Sequence, residues 1–124
     1  MDFSSILIGS DDPKRLADYY TKLLGKPVWD EDGFTSWQIG TGGITVGKHD
    51  EVHGRNAQPG RLIWNIASND VKGDYDRFKA AGAIVIREPY QMGDAMPEVW
   101  IATFADTDDN YFQLISPFMP ESAA

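Results

Sequence analysis

Imidazoles and carboxylates come closest together in "KHDEVHG", residues 48 to 54, where His49 and His53 flank Asp50 and Glu51. On a helix, that four-residue spacing would put both rings on one face, able to grip a transition metal. The stretch follows the strand-like "ITVGK" and runs into Gly54, so it does not read as a helix. Solvated linker residues, or part of a lid, describe these histidines better. Glu88 or Glu98 could serve as a general base, but a carboxylate without a partner is weak support for proton transfer. The chain has no cysteine, no glycine-flanked serine elbow and no Ser-His-Asp set, so nucleophilic catalysis has no sequence support. The "GTGG" at 40 to 43 is followed by no helix to hold a phosphate and reads as a turn between strands.

Binding chemistry is better represented. In "DTDDNYFQLISP", residues 106 to 117, Gln113 sits within a short apolar strand, where a carboxylate would have offered a metal ligand or a base. Its amide can hydrogen-bond a ligand without ionising. Asp106 and Asp108, just before that strand, read as turn formers. Trp37 and Trp100 lie on strands whose alternate residues face one side, and their rings suit stacking against a flat heteroaromatic or cationic ligand. Filling the core or a dimer interface is the alternative role for both. Trp64 shares the parity of Ile66 and reads as core, while Trp29 lies on a strand just after the first helical stretch. Asn65 has the parity to point with Ile63, where its amide could fix a polar group.

The elements that must position these residues form an internal repeat. "ILIGSDDPKRLADYYTKLLGKPV" (6 to 28) and "IWNIASNDVKGDYDRFKAAGAIV" (63 to 85) share one layout: apolar strand, Ser-Asx-Asp break, amphipathic helix, glycine, second strand. Asp12 caps the first helix, and Leu16, Tyr20, Leu23 and Leu24 form its apolar face before Gly25. Asp70 caps the second, with Val71, Tyr75, Phe78 and Ala81 at helical spacing, Gly73 weakening it slightly and Gly82 stopping it. Three strand-like runs follow each helix: "PVWDE", "FTSWQIG" and "ITVGKH", then "AIVIREPY", "EVWIATFA" and "YFQLIS". The expected fold is α+β, two βαβββ modules forming a curved eight-stranded sheet with the helices outside and a concave trough inside. Module one covers 1–50, a polar linker 51–60, rich in Gly and Pro, is the most mobile part, and module two covers 61–124, all within one domain. The loop "EPYQMGDAMPEVW" (88 to 100), with two methionines, either closes over an apolar ligand or simply joins strands.

Composition narrows the partners. With 19 acidic against 11 basic residues the net charge is −8, which repels a nucleic-acid backbone and favours a neutral or cationic ligand, or serves only solubility. The longest apolar runs fall far short of a membrane span and "MDFSS" lacks a secretory pattern, so a soluble, cytoplasmic protein is expected.

The paired modules, the opening "SDDPKRLADYYTKLLG" and the closing "FADTDDNYFQLISP" resemble the vicinal oxygen chelate superfamily, which includes glyoxalase I, extradiol dioxygenases, and bleomycin- and fosfomycin-resistance proteins. The closing stretch is similar to that family's DPDGN turn, with Asp109 in place of glycine, and aspartate tolerates a left-handed backbone better than most residues. The resemblance implies metal-ligand positions at Ser5, Thr45, Ile63 and Gln113, where the enzymes need histidine or glutamate. Neutral side chains there supply no charge to hold a divalent cation, and Leu7, Ile44, Trp64 and Leu114 beside them are no better. The resemblance thus implies a metal-free, cofactor-free protein of the bleomycin-resistance kind. Its aromatic or cationic small molecule would sit in a trough lined by Ser5, Trp37, Thr45, Ile63, Asn65, Trp100 and Gln113. Family analogy also implies a homodimer. The rival reading is a glyoxalase-like lyase, isomerase or dioxygenase whose metal ligands lie elsewhere.

Overall fold

Two aspartates begin the helices. The Asp12 carboxylate accepts the Arg15 amide at 3.3 Å and Pro13 fills the first helical position, so α1 runs Pro13–Leu24. Asp70 accepts the Gly73 amide at 3.0 Å and opens α2, Val71–Ala80. A side chain at Gly73 would overlap the Asp70 carboxylate, so the residue that lowers helix propensity is also the one that leaves room for the cap. Gly25 (φ 87°) and Gly82 (φ 102°) follow the two helices in the left-handed region.

The structure is a computed structural model and describes residues 1–117. Its strands are β1 (Ser5–Ser10), β2 (Trp29–Glu31), β3 (Phe34–Ile39), β4 (Gly42–Lys48), β5 (Ile63–Ala67), β6 (Ile84–Gln91), β7 (Trp100–Ala105) and β8 (Tyr111–Ile115). Each half is therefore βαβββ. The eight strands hydrogen-bond as two sheets of four, β1-β4-β3-β2 and β5-β8-β7-β6, each pairing its first and last strands in parallel and the rest antiparallel. The β6 strand runs through Pro89 to Gln91, which an edge strand with register shifts tolerates because no neighbour needs the missing N–H.

One face of each sheet meets the helices. Ile8, Trp37, Ile44 and Val46 of the first sheet share a continuous core with Leu16, Tyr20 and Leu23 of α1, with Phe78 of α2, and with Phe104, Phe112 and Leu114 of the second sheet. Tyr20 is fully buried, and its ring centroid lies 6.1 Å from Trp37, 6.0 Å from Trp64 and 5.7 Å from Phe112. Burying a large apolar side chain is worth about 1.5–3 kcal/mol, so this cluster supplies much of the force that joins the halves. Polar bonds from module one to module two follow the same route. The Tyr19 hydroxyl donates to the Ala105 carbonyl (2.6 Å) and accepts the Ile84 amide (3.0 Å), and Ser10 Oγ donates to the Asp108 carboxylate.

The linker, expected to be the most mobile part, is bonded on both sides. The Gly54 amide donates to the Asp11 carboxylate (2.6 Å) and the Asn56 amide to the Asp108 carbonyl (2.8 Å). The Asn56 side chain adds a bond to Asn110 Oδ1 (3.1 Å).

Candidate ligand-binding face

The face turned away from the helix is open on the first sheet and only partly so on the second, where Ile101, Thr103, Ala105 and Ile115 are buried, and strand parity fixes what each displays. On the first sheet, Leu7 of β1 pairs with Thr45 of β4, Thr45 with Ser36 of β3, and Ser36 with Trp29 of β2. Ser5 lies two residues before Leu7 on the same face. On the second sheet the matching row is Asn65, Gln113, Thr103 and Arg87, with Ile63 beside Tyr111. The two rows have one internal design. Ser36 Oγ and Thr45 Oγ1 share a hydrogen bond of 2.7 Å, and Gln113 Nε2 donates to Thr103 Oγ1 at 3.0 Å.

Five of the expected site residues, Ser5, Thr45, Ile63, Asn65 and Gln113, therefore lie on the open faces. Trp37 and Trp100 do not. Trp37 pairs with Ile44, is 2% exposed, and donates Nε1 to the Gly25 carbonyl at 2.9 Å, so its ring is core. Trp100 shares the helix-facing parity of Ala102 and Phe104, and the Lys72 ammonium of α2 sits 3.9 Å from its ring centroid. Both expectations are reversed for one physical reason: a bulky ring gains more by filling the helix–sheet interface than by facing water. Trp64 is helix-facing as expected, stacked on Phe112 at 5.3 Å.

The exposed aromatics of the first sheet's open face are instead Trp29, 53% exposed, and Phe34, 40% exposed, with Leu7 close to 60%. The Phe34 ring lies flat on Gly47, where any side chain would overlap it. A signal for this was present in "FTSWQIG", since Phe34, Ser36 and Gln38 alternate with Thr35, Trp37 and Ile39, and the polar pair marks the wet side.

Loop 92–99 folds onto the second sheet's open face. Val99 is buried there with Ile101 and Ile115, and Met96 and Tyr90 pack against them. The loop closes on itself through the Met92 amide to the Val99 carbonyl (2.8 Å) and Gln91 Nε2 to the Pro97 carbonyl (2.8 Å).

The donor set does not fit a chelated cation. The open-face positions of the parallel pairs β1–β4 and β5–β8 are Ser5, Leu7 and Gly9 on β1, Gly43, Thr45 and Gly47 on β4, Ile63, Asn65 and Ala67 on β5, and Tyr111, Gln113 and Ile115 on β8. None is a carboxylate or an imidazole, the groups that neutralise and bind such an ion. Among the described residues no three His, Cys, Asp or Glu side chains come together as a metal site. His49 and His53 are exposed, and His49 Nδ1 accepts the Glu51 amide at 3.1 Å. His53 lines a cavity of about 290 Å³ with Gly9, Glu51, Asp108 and Asn110.

Asp106 and Asp108 do more than form a turn. Asp106 Oδ1 accepts the Asp108 and Asn110 amides at 2.8 and 3.0 Å, and Oδ2 accepts the Tyr20 hydroxyl at 2.7 Å and Asn110 Nδ2 at 3.0 Å. Burial raises the Asp106 carboxyl above its ordinary value, opposed by the bonds from Tyr20 and Asn110. Burial, reinforced by Asp106, also holds the Tyr20 phenol well up, and burial pushes Tyr19 up to about 12. The turn closes through Asp109 at φ 65°, the left-handed conformation expected of it.

Two βαβββ modules, each a four-stranded sheet with a helix on one face, define a protein of the vicinal oxygen chelate superfamily. The chain belongs to the glyoxalase-like domain family, which matches residues 5–115. Among solved structures, it is similar to a glyoxalase-related enzyme from Fulvimarina pelagi (18% identity, TM-score 0.70, 94% of this chain and 88% of that one). A glyoxalase/bleomycin resistance protein/dioxygenase family enzyme from Burkholderia phytofirmans PsJN is 18% identical, with TM-score 0.70, over 95% of this chain and all of that one. TioX from Micromonospora sp. ML1 is 15% identical, with TM-score 0.67, over the same shares. At such identities the likeness is one of fold. No curated protein matches the chain. No helix among the described residues is long and apolar enough to cross a membrane.

Proposed function

We propose that this protein binds a small aromatic compound on its open sheet faces without a metal ion, holding it rather than transforming it. The observation that carries this reading is the contrast on those faces. The positions Ser5, Thr45, Ile63 and Gln113 hold no ionisable donor, while Leu7, Phe34 and Trp29 stay exposed on the first sheet's open face. Exposed aromatic rings next to satisfied hydroxyl and amide pairs offer stacking area with little conformational entropy to lose on binding. Where the two sheets meet, Ile63 and Asn65 also border a largely apolar cavity of about 450 Å³ that Phe3, Leu62 and the helix-facing Ile6, Ile39 and Trp64 complete, a volume suited to a drug-sized molecule. A homodimer, with a second copy completing the trough, belongs to this reading by family analogy alone.

The test is a thermal-shift screen over aromatic metabolites, antibiotics and divalent metals, with elemental analysis of protein purified without chelator. An aromatic compound should raise the melting temperature by mass action, with Trp29→Ala removing the shift, while Zn, Ni, Fe and Mn leave it unchanged. Stoichiometric metal with chelator-sensitive turnover would overturn the proposal.

A further inference from the structure

The joint between the two sheets is bounded by their end strands, β1 and β5, which no ladder connects among the described residues. The cavity of about 450 Å³ takes Ile63 and Asn65 of β5, and a second of about 180 Å³ takes Leu7 and Gly9 of β1. Ile6, Leu62 and Trp64 line both, so the two spaces adjoin along the facing edges. Trp29 and Phe34, the exposed rings of the first sheet, line neither.

Backbone direction decides what these edges offer. Successive residues of a strand aim their N–H and C=O groups at opposite edges. The Gly43 amide donates to the Ser4 carbonyl at 3.1 Å, so Ser4, and with it Ile6 and Ile8, faces β4. The Ser68 amide donates to the Ile115 carbonyl at 2.9 Å, which turns Ser68, Ile66 and Trp64 toward β8. The alternate residues Leu7, Gly9, Ile63 and Asn65 therefore direct their peptide groups away from the ladders, and all four line the two cavities. An edge of this kind is a template for another backbone-like group.

Side chains set the charge of the guest. Although 24% of the chain is charged, no Asp, Glu, Lys, Arg or His lines either cavity. Apart from the Trp64 indole, the polar side chains there are the carboxamides of Asn56, Asn65 and Asn110 and the Tyr111 hydroxyl. An ion entering this space would leave water without a counter-charge, which costs far more than burying a neutral dipole that finds a hydrogen bond.

We propose that the joint binds a neutral secondary amide, a short apolar peptide-like compound whose N–H and C=O pair with the free edges of β1 and β5 while its flanking groups rest on Ile6, Leu62 and Trp64. The proposal rests on the joint cavity of the preceding section and adds the chemistry of its guest; the aromatic face of the first sheet is independent of it.

The experiment titrates the whole protein with N-acetyl-leucine N-methylamide, with the corresponding methyl ester, and with N-acetyl-leucine itself, whose carboxyl is ionised at neutral pH, each followed by ¹H–¹⁵N chemical shifts. The methylamide should give saturable shifts largest at the backbone amides of Leu7, Gly9, Ile63 and Asn65, with Ile8, Trp64 and Ile66, held in the ladders, moving less. The ester lacks one donor and should bind about fivefold more weakly, the gap of one hydrogen bond, and the acid more weakly still. Leu62→Asp, at an exposed position shared by both cavities, should weaken the methylamide about fivefold or more, whereas Trp29→Ala should bind it as the wild type does. No saturable shift, an ester that binds as tightly as the amide, an acid that binds most tightly, or shifts centred on the ladder-held amides would overturn the proposal. If Trp29→Ala abolishes methylamide binding, the joint fails as the site while the reading of the first sheet's face stands. Failure of the methylamide leaves a Trp29-dependent thermal shift by an aromatic compound untouched, so the two readings fall separately.

Discussion

Replacing Tyr20 with phenylalanine tests whether the Tyr20–Asp106 bond holds the halves together. The variant keeps the ring among Trp37, Trp64 and Phe112 and removes only the hydroxyl that donates to Asp106 Oδ2 at 2.7 Å. A hydrogen bond to a charged group contributes about 1.5–3 kcal/mol. Asn110 Nδ2 still reaches that oxygen at 3.0 Å, so the lower half of the range applies and the expected loss is about 2 kcal/mol. At roughly 2.1 cal/mol/K per residue, unfolding 124 residues carries about 0.26 kcal/mol/K, so the melting temperature should fall by about 8 °C. The pH dependence has a sign. Because burial raises the Asp106 value in the fold, this group's contribution is fully present below its unfolded value and lost as pH rises through the folded one. Tyr20→Phe removes a donor that favours the ionised form, so the folded value climbs and that loss extends to higher pH. Urea unfolding should therefore show the variant nearest to wild type in acid and farthest from it at neutral pH, and Asp106→Asn should abolish the difference in slope. A loss below about 0.5 kcal/mol at neutral pH, or one independent of pH, would refute the reasoning.

Trp37→Ala should cost about 3–5 kcal/mol in chemical denaturation, because it empties a buried core site, while Trp29→Ala stays within about 0.5 kcal/mol. The reverse order would restore Trp37 to the ligand face. Gly47→Ala should lift the Phe34 ring, erasing the ring-current shift on residue 47 and weakening aromatic ligands with a stability change of about 1 kcal/mol or less. An unaltered shift in the variant would show that the ring does not rest there.

The helices were legible because their signals are local: Asp12 and Asp70 cap where the sequence places them, and the stripes Leu16–Tyr20–Leu23 and Val71–Tyr75–Phe78 are buried. The repeat carried the topology, since each copy had to bury the same helix face on a sheet. The resemblance supplied the positions Ser5, Thr45, Ile63 and Gln113, and parity with Ile63 supplied Asn65; all five lie on the faces turned away from the helices. What failed was the side of the sheet, because a strand's facing depends on its partner's register. Trp37 is core by virtue of pairing with Ile44, and "EVWIATFA" is apolar on both faces, so nothing local turns Trp100 toward Lys72. The facing of Arg87 was illegible for a sharper reason. Two irregularities in β6 break the alternation on which any parity argument depends. Asp106 was read too modestly, as its bond to Tyr20 spans 86 positions of sequence.

Among the described residues no strand of one sheet is hydrogen-bonded to a strand of the other, so the angle between them is set by side chains, chiefly Tyr19 and Tyr20 reaching the 105–106 corner. Such a joint can be re-tuned by point substitution without unzipping any ladder. A lineage could open or narrow the cleft for guests of different girth by altering a few residues of α1, leaving both palms that hold the guest untouched.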